Sequence, residues 1–114
     1  MGQKGAKLTG VATETAERLV EDLAELGDVS ARKMFGGYGV FESGVMFVLI
    51  DSTGVAHLRV DDSTVARFEA VRAEKHGKMP YWSVPESVLG DHDQLLVWAG
   101  EALEVARAAK AKNK

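Results

Sequence analysis

The stretch of this sequence that most resembles a chemical motif is Gly36-Gly37-Tyr38-Gly39, whose glycines suggest a phosphate-binding loop. A phosphate-binding loop places its glycines between a strand and the N-terminus of a helix, because the backbone N–H groups there bind the anion. Here the glycines lead into Val40-Phe41 and a second β-prone run, and no Lys-Ser/Thr pair follows them. The pattern therefore favours a strand start that bulges or is closely approached by another segment, rather than a nucleotide site.

The other residues that could do chemistry are scattered along the chain. His57, His76 and His92 lie in three different segments and show no metal-ligand spacing. None of the serines has the surroundings of a nucleophile elbow. Paired carboxylates such as Asp61-Asp62 stand at predicted helix starts, where capping explains them. The sequence therefore predicts no catalytic residue, no metal and no cofactor.

A combination of aromatic and basic residues is better suited to binding a macromolecule. Tyr38, Tyr81 and Trp82, together with Arg32 and Lys33, would form a surface of the kind that anchors proteins or stacks on nucleic acid. A core with tyrosine hydroxyls at its edge explains the same residues. The candidate partner-binding residues are Arg32, Lys33, Phe35, Gly36, Gly37, Tyr38, Met79, Tyr81 and Trp82.

The elements that must position these residues begin with a β-meander. From Met34 to Val60 the hydrophobic period is two, and turn signals at Ser43-Gly44 and at residues 51–54 divide the region into three strands. The middle strand, Val45 to Ile50, is apolar on both faces. Because a single layer of helices covers only one face, we expect a second cover, and a partner subunit in a homodimer is a candidate.

Helical patterns flank this meander. The first begins near Thr13 and stops at Gly27, the second follows Asp61-Asp62, and Asp91 opens the last. The fold class predicted is α+β, an antiparallel meander sheet with an N-terminal, a middle and a C-terminal helix. One domain spans residues 11–110, between a flexible N-terminal tail (residues 1–10) and a basic C-terminal tail (residues 111–114).

The composition limits the classes of protein that fit. The chain has 114 residues, no cysteine and a formal net charge of -3, which excludes disulfides and argues against broad nonspecific binding to nucleic acid. No apolar run approaches the roughly 18 residues needed to cross a membrane, and no apolar segment follows the basic N-terminus as in a signal peptide. We therefore expect a cytoplasmic protein without a membrane partner.

Two sequence blocks together resemble a known family. Residues 30–41, which contain Met34-Phe35-Gly36-Gly37, and the downstream block Met79-Pro80-Tyr81-Trp82 are similar to the N-terminal domain of the TfoX/Sxy competence-regulator family. The similarity extends over most of the chain. It implies helices on one side of an antiparallel sheet, as in secretion-chaperone-like two-layer folds that often dimerise. It also implies a bacterial transcriptional co-regulator that works with a cyclic-AMP receptor protein rather than reading DNA alone.

Three functions follow as hypotheses. The leading one is a non-enzymatic, stand-alone protein-interaction module of the TfoX N-terminal type, with a transcription factor as a candidate partner and only weak or indirect contact with DNA. The second is a direct DNA-binding regulator that uses Arg32, Lys33 and the basic tail. The third is a small-ligand-binding protein or enzyme with Tyr38, His57 and Tyr81 around a pocket.

Overall fold

One layer of helices packs on an antiparallel sheet, which confirms the predicted α+β class. The computed structural model describes residues 3–34 and 36–112, with side chains from residue 10 onward. In chain order the elements are α1 (Gln3–Asp22), a 3-10 turn (Ala24–Leu26), β1 (Val29–Met34), β2 (Gly37–Glu42), β3 (Val45–Ile50), β4 (Ala56–Arg59), α2 (Val65–Ala70), β5 (Tyr81–Ser83), α3 (Glu86–Leu89) and α4 (His92–Lys112).

The sheet contains five strands in chain order, and every neighbouring pair is antiparallel. Strands β2 and β3 are joined by Ser43-Gly44, where φ is 51° at Ser43 and 86° at Gly44. Two consecutive positive φ angles match the right-handed twist of a two-residue hairpin. The turn predicted at this position is therefore confirmed.

The hydrophobic core lies between one face of the sheet and the helices α1 and α4. Apolar side chains at helical spacing point inward from both helices and belong to the same cluster as β2, β3 and β4. In this cluster α1 and the residue just after it contribute Ala12, Ala16, Leu19 and Leu23, and α4 contributes Leu95, Ala99, Ala102, Leu103 and Ala106. The alanines of α4 let its backbone lie close to β3. Asp91 caps this helix as predicted, since its Oδ1 accepts the backbone N–H of Gln94 at 3.2 Å.

A β-bulge in β3 decides which face its side chains reach. Val40 pairs with Val48 and Phe41 pairs with Met46, so Phe47 is an extra residue without a partner in β2. Phe47 belongs to the core together with Val48, although strict alternation along the strand would place the two on opposite faces. The bulge thus adds a large aromatic side chain to the helix-covered side.

The predicted burial of the middle strand is confirmed for its last four residues. Phe47, Val48, Leu49 and Ile50 are all buried within the single chain, whereas Val45 and Met46 are half-buried. Leu49 lies on the face away from the helices and is 0% exposed without a second subunit. The homodimer was inferred from the need for an external cover over this strand. Because the chain itself supplies that cover, the dimer stays a prediction without this support.

An ion pair between a buried carboxylate and a half-exposed guanidinium closes the core beside the β2–β3 hairpin. Glu42, whose side chain is 8% exposed, accepts a hydrogen bond from Nη2 of Arg107 on α4 at 2.6 Å. Its other carboxylate oxygen accepts hydrogen bonds from the Ser43 hydroxyl and the Asp28 backbone N–H. These hydrogen bonds, that of Arg107 first, lower the pKa of Glu42 below its ordinary value. The carboxylate is therefore ionised and ties α4 to the sheet.

Two element boundaries differ from the prediction. The segment from Val29 to Glu42 forms two strands, because the chain reverses at Gly36, where φ is 76°. Strand β1 is mostly exposed and carries no hydrophobic alternation that could reveal it. Helix α1 begins at Gln3 instead of near Thr13, so residues 3–10 of the predicted tail are helical. Residues 1–2 and 113–114 of the predicted tails lie outside the described residues. None of the described helices is long and apolar enough to span a bilayer.

Candidate functional site

The face of the sheet turned away from α1 and α4, which we call the open face, is the candidate functional surface. Val48 and Leu58 pair across β3 and β4 in the core, so the adjacent pair, Leu49 and His57, points to the other side. The same alternation assigns the remaining residues. The open face contains Ser30, Arg32, Met34, Gly37, Gly39, Phe41, Met46, Leu49, His57, Arg59, Tyr81 and Ser83.

The centre of the open face is a layer of long apolar side chains over Gly39. A Cβ atom placed on Gly39 would lie 2.8 Å from Sδ of Met34, 3.0 Å from Sδ of Met46 and 3.1 Å from the ring of Phe41. A side chain at this position would force those three away from the sheet. Gly39 therefore lets two thioethers and a ring lie flat on the strands, beside the buried Leu49. The predicted close approach at the glycine-rich stretch is confirmed.

Two arginines lie on aromatic rings of this face. The guanidinium carbon of Arg32 is 4.8 Å from the centre of the Phe41 ring, and that of Arg59 is 5.8 Å from the Tyr81 ring. The Tyr81 hydroxyl donates a hydrogen bond to the carbonyl oxygen of Met46 at 3.3 Å, and burial raises the pKa of Tyr81. Nε of Arg59 is buried and has no hydrogen-bond partner among the described residues. The face thus presents two arginine side chains held on aromatic rings.

The Gly36-Gly37 turn packs against the end of β3. A Cβ atom on Gly37 would overlap the carbonyl oxygen of Ile50 and the backbone of Asp51, and Gly36 lies next to Ser52. Only glycine fits at position 37 without moving one of the two segments. The glycines of the sequence block therefore serve close packing of backbone on backbone at this end of the sheet.

Beside this turn, Asp51, His57 and His76 form a group that we call the His–Asp cluster. One ligand atom of each residue lies within 4.8 Å of the others, and the two imidazole rings meet edge to face at 4.9 Å. His57 is buried, and its Nδ1 is 3.0 Å from the Val55 carbonyl oxygen and 3.3 Å from that of Leu49. Since both partners are acceptors, Nδ1 carries the proton and Nε2 keeps a free lone pair.

The charges of the cluster follow from its surroundings. Burial lowers the pKa of His57, and nearby His76 lowers it further. His57 is therefore a neutral imidazole at pH 7. Burial acts to raise the pKa of Asp51, but hydrogen bonds from the Thr53 side chain and from the backbone of Val55 and Thr53 hold it below its ordinary value. The cluster combines a fixed carboxylate with a neutral imidazole.

The predicted partner-binding residues do not form one surface. Arg32 and Tyr81 lie on the open face, whereas Lys33, Tyr38 and Trp82 lie on the core side. The hydroxyls of Tyr38 and Thr13 on α1 are 2.9 Å apart, and Trp82 packs against the core. The predicted aromatic-basic surface is therefore wrong as a single surface. The reason is the pleat, which sends neighbouring residues of a strand to opposite sides.

The remaining candidates lie in connections. Gly36 and Gly37 form the turn beside Asp51, Met79 is half-buried in the loop before β5, and Phe35 lies outside the described residues. The predicted ligand pocket of Tyr38, His57 and Tyr81 is not formed either, because Tyr38 is on the core side and the other two are on the open face.

Sequence reasoning missed several residues that the open face brings together. Met34, Met46 and Arg59 were not candidates, although alternation along β4 already placed His57 and Arg59 on one face. The meeting of His57 and His76 had no local signal, because the two belong to different segments that only the fold brings together.

Together the fold and this surface define a small α+β domain with one layer of helices and a second sheet face that no described helix covers, rich in methionine, arginine and aromatic residues. A family model described as the TfoX N-terminal domain matches residues 21–106. The chain therefore belongs to the TfoX N-terminal domain family, as the two sequence blocks indicated. No curated protein matches the sequence.

Proposed function

We propose that this protein is a non-enzymatic protein-interaction module of the cytoplasm that takes part in transcriptional regulation of the competence type. The family membership supports a regulatory domain. The observation that carries the interaction role is the chemistry of the open face. The partner that the family resemblance implies is a transcription factor, and we take the cyclic-AMP receptor protein as the first to test.

The composition of the open face fits a protein partner. Interfaces are enriched in methionine, arginine and aromatic residues and depleted in lysine and glutamate. The open face holds Met34, Met46, Arg32, Arg59 and Phe41, and none of its assigned residues is a lysine or an acid. Methionine side chains adapt to the shape of a partner at little cost. Arginine stacked on a ring is already ordered, so binding loses less side-chain entropy.

A shallow groove adjoins this face and gives a partner a point of attachment. It has a volume of about 310 Å³ and runs from Phe41, Met46, Arg59 and Tyr81 to Lys110 near the end of α4. An apolar side chain of a partner would enter between the rings, and an acceptor group would reach the arginine. Buried anchors of this kind supply most of the binding energy at protein interfaces.

Direct DNA binding is less well supported. Arg32 and Lys33 are adjacent in β1 but point to opposite faces of the sheet. The two side chains therefore cannot both contact the phosphates of one DNA strand. Arg107, near the basic tail, is paired with Glu42. The net charge of -3 also opposes attraction to a polyanion.

The adjacent cations of β1 offer a matched pair of variants for the test. Arg32→Glu and Lys33→Glu make the same charge change one residue apart, on opposite faces of an exposed strand. Binding to the purified cyclic-AMP receptor protein is measured by anisotropy of a labelled domain. We expect Arg32→Glu to weaken binding at least about tenfold, as loss of an interface arginine does, and Lys33→Glu to change it less than about twofold.

The same two variants are introduced into host cells that lack the wild-type gene, and transcripts of competence genes are quantified. Arg32→Glu should reduce the transcripts to the level of the deletion, and Lys33→Glu should restore them. Wild-type protein that does not bind the receptor, or variants that bind equally well, would contradict the proposal. Equal losses in both variants, with steep salt dependence on duplex DNA, would favour the DNA-binding alternative.

A further inference from the structure

We propose that Asp51, His57 and His76 bind a divalent transition-metal ion of the zinc class at the end of the open face. This site is independent of the protein-interaction role. It rests on the ligand chemistry, the fixed orientation of two of the three ligands and the position of the third on a connecting loop.

The donor set selects the class of metal. Two imidazoles and one carboxylate are typical ligands of zinc and of other late first-row metals, whereas magnesium and calcium prefer all-oxygen sites. Three protein ligands leave one position of a tetrahedron for water or for a group of a partner. The cluster supplies one ligand from β4, one from the turn after β3 and one from the loop before β5.

His57 is already oriented as a metal ligand. Its Nδ1–H is directed at the carbonyl oxygens of Val55 and Leu49, at 3.0 Å and 3.3 Å. Histidines that bind metals commonly donate the second ring N–H to a carbonyl or carboxylate in this way, which fixes the tautomer and the plane of the ring. The nitrogen left to coordinate is Nε2, for which the described residues provide no hydrogen bond.

Asp51 is held in a similar manner. Its Oδ1 accepts hydrogen bonds from the backbone N–H of Thr53, the hydroxyl of Thr53 and the backbone N–H of Val55, at 2.9, 2.7 and 3.0 Å. All three reach the same oxygen, so the carboxylate is fixed while Oδ2 takes part in none of them. The turn thus builds the support of a ligating carboxylate and leaves one oxygen free to coordinate.

His76 supplies the movement that binding requires. Ligand atoms in a tetrahedral zinc site are about 3.3 Å apart, given bonds of about 2.0–2.1 Å, and those of the cluster lie within 4.8 Å. His76 is half-buried in the loop before β5. Its backbone N–H donates a hydrogen bond to the Tyr81 carbonyl oxygen at 2.8 Å. Rotation of this side chain over an anchored backbone would bring its ring nitrogen towards the other two ligands. The bound ion would then link the β3–β4 turn to that loop.

The test uses the full chain, stripped of metal by chelation and dialysis, with Zn²⁺ or Co²⁺ alone as the probe. Calorimetry with Zn²⁺ should give one site, and Co²⁺ should give the visible absorption bands of a four-coordinate ion. Zn²⁺ should raise Tm because it binds the folded state, and Mg²⁺ at the same concentration should not.

His76→Gln removes one ligand from a half-buried loop position and should weaken Zn²⁺ binding at least about tenfold and abolish the Co²⁺ bands. His92→Gln is the matched control, because His92 is exposed on α4 and paired with Glu25. It should leave both signals unchanged. No Zn²⁺ binding below about 100 µM, a site that survives His76→Gln, or equal losses in both variants would overturn the proposal.

Discussion

The two faces of the same sheet are built in different ways. The core side is covered by α1 and α4, which bury aliphatic side chains and alanines against β2, β3 and β4. None of the described helices packs on the open face. There the methionine, aromatic and arginine side chains of the strands lie over the backbone of the sheet. The side chains of β3 from Phe47 to Ile50 are buried on both faces of the strand. Burial of a strand on both sides therefore does not require a cover on both sides by other elements or subunits.

This difference separates stability from function. Side chains locked between a helix and the sheet contribute to the free energy of unfolding, and their replacement leaves a cavity. Half-exposed side chains that lie flat on a sheet contribute less and stay free to contact another molecule. The comparison predicts larger stability losses for substitutions on the core side than for substitutions on the open face. It predicts the reverse order for the loss of partner binding.

The largest effect is expected for Phe47→Ala on the core side. Phe47 is 0% exposed and fills the space that the bulge creates under the helices. The substitution should lower the free energy of unfolding by about 3–5 kcal/mol, as for other buried phenylalanines. Urea denaturation followed by circular dichroism measures it. A loss below about 1 kcal/mol would mean that Phe47 does not belong to the core.

The corresponding change on the open face is Leu49→Ala. Leu49 is also 0% exposed, but the flexible side chains that cover it can collapse into the space left behind. We expect a loss of about 2–3 kcal/mol, at the lower end of the range for buried leucine. The same denaturation assay applies. A loss of unfolding free energy equal to that of Phe47→Ala would show that the two faces are packed alike. No loss would show that Leu49 is exposed to solvent.

A pH dependence is expected for the ion pair that ties α4 to the sheet. The pKa of Glu42 is lowered in the folded protein, so the pair stabilises the fold above the unfolded pKa of about 4.3 and loses this effect as the pH falls through the folded pKa. Arg107→Met should therefore lower Tm at pH 7, and the difference from wild type should shrink below about pH 4. Thermal scans between pH 3 and pH 7 measure it, and a constant difference would contradict it.

The smallest stability effect is expected for Arg32→Gln on the open face. An exposed arginine on an aromatic ring contributes less than about 1 kcal/mol, so denaturation should change little. Loss of partner binding with retained stability would sharpen the contrast between the two faces. A large stability loss would place Arg32 among the structural residues.

The local elements of the fold were largely predictable, because they depend on neighbouring residues. The Ser43-Gly44 turn, the Asp91 cap and the apolar β3 follow from turn chemistry, capping and composition. Strand β1 was missed because an exposed edge strand has no hydrophobic alternation.

The candidate site was less predictable, because it depends on which residues share a face. The bulge at Phe47 shifts the alternation of β3, and no residue type marks it. Lys33, Tyr38 and Trp82 were grouped with Arg32 and Tyr81 by chemistry alone, and the pleat separates them. His57 and His76 come together only through the loop that returns to β5.

The most direct test of the open face as a binding surface is photo-crosslinking in living host cells. A benzophenone amino acid replaces Ser30 in one strain and Ala31 in another, so that the probe projects from opposite faces of β1 while Arg32 is kept. The account predicts a discrete adduct with one protein from position 30, identified by mass spectrometry as a transcription factor, and none from position 31. Adducts from position 31 alone, the same adducts from both, or none from either would contradict it.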